Sequence, residues 1–408
     1  MNRKLPACFY LLFISLSVFS QQTIKGRVVN ASTGEALAGS SVFINSTSIG
    51  TVADRSGNFE LNNIPSGRYD LVISLIGYET NVFTFTSAEL PLNLKVEMNL
   101  KVKELENVTV EPWVEEGWDK WGLTFTESFV GRTPNAANCK IKNTNDIHFR
   151  YYKKTNRLTA YSDEPLVVEN KALGYTIRYQ LEQFEIDFKN NTTAYMGYPF
   201  FEEIDKNRKG LQRRWKEARE KAFYGSIMHF MQSLFKDSLV QNGYEVRRMK
   251  RLPNDEKERV KIAYRNSIVI KDSANRKILR EDLMPKDSLA YYHQVMRQKD
   301  YIEIYGKTVL TADSLIVKTE GEYKILFFLD YLYITYKNEL EDKAYLLYQH
   351  ENRSAAFQRS YIWLVSGSPI SLDIHGNYYP PQELFSMGYW GWEEKTANLL
   401  PSDYLPGN

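Results

Sequence analysis

Along most of this chain apolar and polar positions alternate every second residue, the period of a strand with one face buried. Over the first hundred residues the alternating runs are short, at 23–29, 42–45 and 69–74. Clusters rich in Gly, Asn, Asp and Ser separate them. Asp54-Arg55-Ser56-Gly57 reads as a hairpin turn, because Asp can bond its own backbone and Gly can take a positive φ. Ile64-Pro65-Ser66-Gly67 is a second turn and Gly77-Tyr78 a third break. Short strands punctuated in this way predict a β-sandwich. Asp54, Ser56 and Asn58 also have the look of a calcium loop. That reading fails, since the glycine is fourth rather than sixth and the twelfth position is Pro65.

Beyond residue 113 the runs lengthen. Residues 147–152 and 158–161 flank 153–157 as a hairpin. Tyr175, Ile177, Tyr179 and Leu181 alternate, then Phe184, Ile186 and Phe188 alternate one step out of phase, which predicts a β-bulge near Glu182 and Gln183. Further strands are predicted at 260–264, 301–305, 323–329, 331–336 and 361–365, giving a mostly antiparallel sheet. One stretch, 211–241, carries the helical period instead, with Leu211, Trp215, Ala218, Ala222 and Phe223 opening an apolar face that runs on to Phe235. Asn242-Gly243 stops this long amphipathic helix, and Gly225-Ser226 is expected to kink it or split it in two. Its first half is crowded with Arg213, Arg214, Lys216, Arg219 and Lys221. Glu217 and Glu220 interleave with them, so a solvated face is expected rather than a phosphate or headgroup site.

Residues 1–20 have Arg3 and Lys4 ahead of an uncharged apolar run, then Val18 and Ser20 at the −3 and −1 positions, the pattern of a secretory signal peptide cleaved after Ser20. Cys8 precedes the apolar run instead of following it, so lipidation there is not expected. Cleavage removes two of 52 basic residues and none of the 50 acidic ones, which leaves the charges balanced. No nucleic-acid partner and no transmembrane span in the mature chain are expected. Cys139 is then the one remaining cysteine, so the core must be held by burial rather than by an internal disulfide. No His or basic cluster adjoins Cys139, and a small apolar role is expected for it. Residues 99–112, charged and closed by Pro112, read as a linker between a sandwich at 21–98 and a second domain at 113–408.

The opening Lys25-Gly26-Arg27-Val28-Val29-Asn30, the Ala36-Leu37-Ala38-Gly39 stretch, the Gly50-Thr51…Asp54…Gly57…Phe59 spacing, Ile64-Pro65…Gly67…Tyr69 and Gly77-Tyr78 together resemble the carboxypeptidase regulatory-like domain. That resemblance implies a transthyretin-like sandwich of about seven strands and no catalysis, because the domain is an accessory in its parent enzymes. Leu105-Glu106-Asn107-Val108-Thr109-Val110 is similar to the segment that leads into the plug of TonB-dependent receptors carrying the same module. A barrel of about 22 strands needs far more chain than the roughly 300 residues that follow, so neither plug nor barrel is expected. Residues 165–175, 223–230 and 388–392 also resemble an uncharacterised exported bacterial family that joins this module to an α+β domain. That second resemblance implies no activity.

Chemical motifs are sparse. None of His148, His229, His293, His350 and His375 begins an HxxE or HExxH pattern, so no zinc peptidase is expected. Ser233 and Lys236 match SxxK but lack companion motifs, and both are expected off the helix's apolar face. Gly306-Lys307-Thr308 lacks the earlier glycine of a phosphate loop, and no GxSxG surrounds Ser226 or Ser368. Aromatics make up 14% of the chain, with Tyr378, Tyr379, Phe385, Tyr389, Trp390 and Trp392 clustered late. Packing is the expected role of that cluster, with sugar stacking the competing one. Asp-Ser-apolar triplets at Asp237, Asp272, Asp287 and Asp313 resemble a bacterial O-glycosylation signal, and cap or turn chemistry explains them equally well. The expectation is a β-rich, non-enzymatic protein of the periplasm or outer-membrane periphery: a transthyretin-like sandwich, then an α+β domain that binds an envelope protein or glycan. No catalytic, metal or cofactor residue is assigned. A receptor-related accessory protein and a hydrolase with an unrecognised site are the competing readings.

Overall fold

Asp54 Oδ1 accepts from the amides of Ser56 and Asn58, each at 2.8 Å, and Gly57 closes the turn at φ +78°. The predicted turn is therefore present, but it is not a hairpin: the strands it joins, Gly50–Val52 and Asn58–Leu61, pair with different neighbours in different sheets. This is seen in a computed structural model, which describes residues 22–101, 111–204, 209–267, 270–271, 277–278 and 286–407. The expected signal peptide, Cys8, Asp272 and most of the expected linker lie outside the described residues. Two compact units are present, 1–107 and 108–408.

In the first unit seven strands form two sheets. One has the order Asn58–Leu61, Ile24–Asn30, Leu92–Met98, with the last pair parallel. The other runs Gly50–Val52, Ser41–Ile44, Arg68–Ser74, Asn81–Thr86, all antiparallel. Ile24, Val28, Ile44, Leu71, Ile73 and Phe85 fill the space between them. Gly26 lies where the strands crowd, since a Cβ there would meet the Leu94 carbonyl oxygen at 2.4 Å. A sandwich is what alternating runs of this length can build, each burying one face against the other.

The larger unit is built on two cores. Around the first is a seven-stranded antiparallel sheet whose longest strand, Tyr175–Asp187, pairs with Thr192–Glu203 and shifts register between Leu181 and Gln183, where the alternation changes phase. Helix α1 (Trp118–Phe129) lays Phe125 and Phe129 on this sheet, with Phe125 4.6 Å from Phe184. The second core lies under a five-stranded antiparallel sheet, ordered Tyr301–Tyr305, Tyr244–Pro253, Tyr331–Leu340, Phe357–Leu364, Leu384–Gly388, and a four-stranded one that includes Tyr323–Leu326 and Ile370–Leu372.

The expected long helix is two, α2 (Lys209–Phe223) and α3 (Ile227–Phe235), split at the Gly225-Ser226 pair where a kink or a split was expected. Gly225 breaks them at φ +87°, and Ser226 caps α3 by accepting from the His229 amide at 3.1 Å. The break has a packing cause: Ala222 and Phe223 end α2 in the first core, whereas Phe230, Met231 and Leu234 enter the second. The strand expected at 260–264 is also corrected. It lies inside helix α4 (Asp255–Ser267), because Asn254 accepts from the Lys257 amide at 3.0 Å and Asp255, Glu256 and Glu258 suit a helix N-terminus.

Candidate binding face

Three sequence stretches far apart in the chain meet in the larger unit. Buried Asn170 donates from Nδ2 to the Ala397 carbonyl at 2.9 Å and accepts from the Ala172 and Leu173 amides. Trp390 Nε1 donates to the Gly225 carbonyl at 2.7 Å, and the Ile227 amide donates to Glu394 Oε1 at 2.8 Å. Residues 165–175, 223–230 and 390–397 are thus stitched together along one seam. Arg219 belongs to the seam too. It is buried, donates to the Leu173 carbonyl at 2.8 Å and to Glu203 at 3.0 Å, and lies 3.9 Å over the Tyr175 ring. The expected solvated face therefore holds for Arg213, paired with Glu217 in the open, and fails for Arg219.

Carboxyls in the seam are held away from water. Glu393 Oε2 is buried without a hydrogen-bond partner among the described residues, and burial beside Glu394 and Glu339 pushes its carboxyl well above the usual range. Burial raises Glu394 to about 7, against the lowering effects of the Ile227 amide and Lys395. These groups sit at the crossing of the two cores. Glu394 is held by the backbone amide of Ile227, so it reads as structural.

The outer face of the five-stranded sheet is different. Leu332, Ile334, Ile362 and Leu364 point into the core, so the residues between them point out. Along the register Tyr305 pairs with Met249, Met249 with Tyr331, and Trp363 with Phe385. Tyr331 and Trp363 are 5.5 Å apart and Trp363 and Phe385 5.6 Å, so one row, four rings with Met249 between Tyr305 and Tyr331, crosses the five strands. Tyr333 and Tyr361, 5.3 Å apart, form a second row beside it. Met249 is sealed beneath the rings, while Tyr305 is 42% exposed and the other rings half-buried.

Polar groups are set among these rings. The Arg251 guanidinium lies between Tyr301 at 4.2 Å and Tyr331 at 4.8 Å and donates to Glu303 at 3.3 Å. Its Nε is buried without a partner among the described residues. Tyr305 donates to Glu303 Oε2 at 2.9 Å, and its hydroxyl is 3.4 Å from that of Tyr361. Burial raises the Tyr305 phenol, with Tyr361 and Glu303 adding to the effect, so it stays protonated and can donate. A broad aromatic plane with hydroxyl, guanidinium and carboxylate groups in it can stack on an apolar face and hydrogen-bond to hydroxyls at its edge.

Sequence reasoning looked for aromatics elsewhere. In the late cluster Tyr389, Trp390 and Trp392 are buried, as packing requires, and Phe385 is the member that reaches the outer row. The strand pairing was the missing signal, since Tyr305, Tyr331 and Trp363 are distant in sequence. Ser233 is 1% exposed and not off the apolar face as expected; its hydroxyl donates to the His229 carbonyl at 2.6 Å. Gly306 and Lys307 are tied to the sheet edge, the Gly306 amide to the Arg248 carbonyl at 2.8 Å and the Lys307 carbonyl to Arg247. Burial pushes the Cys139 thiol up to about 12, which leaves it unreactive. Among the described residues no group of three or more His, Cys, Asp or Glu is placed to hold a metal ion.

Residues 24–110 match the family model of the CarboxypepD_reg-like domain. The same region is similar to a TonB-dependent receptor, SusC, of Bacteroides thetaiotaomicron, at 36% identity over 92 residues, which is 22% of this chain and 8% of the receptor. Among solved structures, a cohesin–X-dockerin complex of Acetivibrio cellulolyticus is similar at 26% identity over 19% of this chain and 56% of that one, with a TM-score of 0.17. A putative membrane-associated protein of unknown function from Bacteroides fragilis aligns over 86% of this chain and 93% of its own, at 10% identity and a TM-score of 0.14. Neither structure superposes on the chain as a whole.

Proposed function

We propose that this is a non-enzymatic cell-envelope protein whose larger unit holds a glycan on the aromatic face of the five-stranded sheet, with the small unit as an interaction module. The row of Tyr305, Tyr331, Trp363 and Phe385 across five strands carries the reading. Pyranose rings present an apolar face to such a plane and hydroxyls to its polar edge, where Arg251, Glu303 and Tyr305 stand. An envelope location is supported by the charged start and apolar run of residues 3–19 and by the similarity of the small unit to part of a TonB-dependent receptor. That similarity favours a second reading, an accessory to such a receptor that docks through the small unit. A non-catalytic role is supported by Ser233 and Cys139, whose reactive atoms are occupied or suppressed by burial.

The test is a titration of the full chain with cellohexaose, maltohexaose, xylohexaose and chitohexaose, read by tryptophan fluorescence. At least one should bind. Trp363→Ala and Tyr305→Ala should each weaken it about tenfold, the equivalent of one stacked ring, while the melting temperature of Tyr305→Ala stays close to that of the parent. Absence of binding to all four, or binding indifferent to Trp363→Ala, assigns the rings to packing.

A further inference from the structure

A cavity of about 450 Å³ opens where α2 gives way to α3, lined by the apolar or aromatic Phe223, Tyr224, Leu405 and Pro406 and by the polar His229, Gln232, Ser233, Lys236 and Asn242. This volume is in the range of small-molecule sites, which combine an apolar wall with a few fixed polar groups. No acidic side chain lines it.

His229 is 6% exposed, and its tautomer follows from its neighbours. The Gly225 amide approaches Nδ1 at 3.2 Å, and an amide nitrogen can only donate, so Nδ1 accepts and the ring hydrogen is on Nε2. Tyr244 stands 3.0 Å from the same Nδ1. Nε2–H has no hydrogen-bond partner among the described residues, and the ring borders the cavity. Burial, with Lys236 adding to it, lowers His229 to about 4, so at neutral pH it is a fixed neutral donor.

Lys236 follows the last turn of α3, where a lysine ordinarily serves the open carbonyl end of the helix. Here that service is already rendered. Lys324 Nζ donates to the Phe235 carbonyl at 2.6 Å, and the Lys236 amide closes the turn onto Gln232 at 3.0 Å. Among the described residues no carboxylate pairs with the Lys236 ammonium, which is exposed to solvent where it lines the cavity and is open to a ligand there. Asn242 adds to the same wall, its Nδ2 held by Ser233 Oγ at 2.9 Å and Ser238 Oγ at 3.0 Å.

We propose that this cavity binds a small organic anion, its charged end meeting the Lys236 ammonium and the His229 Nε2–H and its apolar part lying against Phe223, Tyr224, Leu405 and Pro406. A lone ammonium and a neutral N–H donor select a carboxylate over a cation. The apolar wall selects an anion that carries a ring or short chain over an inorganic one. This site is separate from the aromatic sheet face, and its occupancy does not depend on glycan binding.

Calorimetric titration of the full chain with benzoate, benzyl alcohol and inorganic phosphate tests it. Benzoate should bind at least about tenfold more tightly than either of the others. Lys236→Met should remove that preference, bringing benzoate to the level of benzyl alcohol. Tyr224→Ala, at the exposed rim, should weaken both aromatic probes together and keep their ratio, which gives a readout if Lys236→Met folds poorly. Three results overturn the proposal: no binding of benzoate at 10 millimolar, a concentration about tenfold above a weak millimolar constant; equal binding of benzoate and phosphate; or a benzoate affinity unchanged in Lys236→Met.

Discussion

Glu394, held by the Ile227 amide, and His229, held by the Gly225 amide, both border the α2–α3 break, and burial moves them in opposite directions, Glu394 to about 7 and His229 to about 4. A carboxyl raised on folding contributes stability below its unfolded value near 4.5, and that contribution is lost as pH rises through 7. A histidine lowered on folding contributes above 6.5 and loses it as pH falls through 4. The two effects oppose each other between pH 4.5 and 6.5, so the wild-type profile hides both there. Comparison with Glu394→Gln separates them, since the amide oxygen can still accept from Ile227 but carries no charge. Relative to wild type, Glu394→Gln should gain stability on the order of 2 kcal/mol between pH 5 and pH 8. Urea titrations at both pH values measure it; a difference that is flat with pH, or one that falls, shows that Glu394 ionises freely in the folded protein.

At the scale of elements, the break between the helices rests on Gly225, whose φ of +87° disfavours any side chain and whose added Cβ would meet Gln358 Oε1 at 2.9 Å and Tyr336 at 3.0 Å. Gly225→Ala should therefore cost about 2 kcal/mol or more. Gly210, near the start of α2 with open space around its Cα, should gain roughly 0.5 to 1 kcal/mol as Gly210→Ala. Chemical denaturation of the two variants side by side checks the contrast, and an equal response from both would mean that the break is not held by Gly225. This break was legible beforehand because glycine and serine interrupt a run of good helix formers. The bulge at Leu181 and Gln183 was legible because a phase change in a period of two leaves a trace in sequence. Helix α4 was not: Val260 to Tyr264 is too short to tell a strand from a helix by period, and the deciding signal was the Asn254 cap with the acids after it. The aromatic face was hidden for another reason. Tyr331–Leu340 and Phe357–Leu364 show alternate aromatics, but only the pairing of Tyr305, Met249 and Tyr331 reveals that the rings of separate strands share a side.

Over the whole molecule the remaining question is how much each unit relies on itself. The small unit closes its two sheets on a core of its own, in which Ile24, Ile44, Leu71 and Ile73 are fully buried. A domain of its size, about 80 residues, buries a smaller fraction of its surface than a larger one, yet many of that size fold alone. In the larger unit Trp118 and Trp121 pack on the core beneath the seven-stranded sheet, and Trp113 faces Arg150 at 4.5 Å, so all three find partners there. Cooperative unfolding needs a contiguous core, and each unit has one or more. Fragments 22–101 and 111–408, expressed separately, should each melt in a single cooperative transition. In the full chain the same transitions should reappear within a few degrees, a shift that corresponds to about 1 kcal/mol for domains of these sizes. Should neither fragment melt cooperatively while the full chain does, the two units share a folding core, and the aromatic face and the α2–α3 cavity would have to be assayed in the intact protein alone.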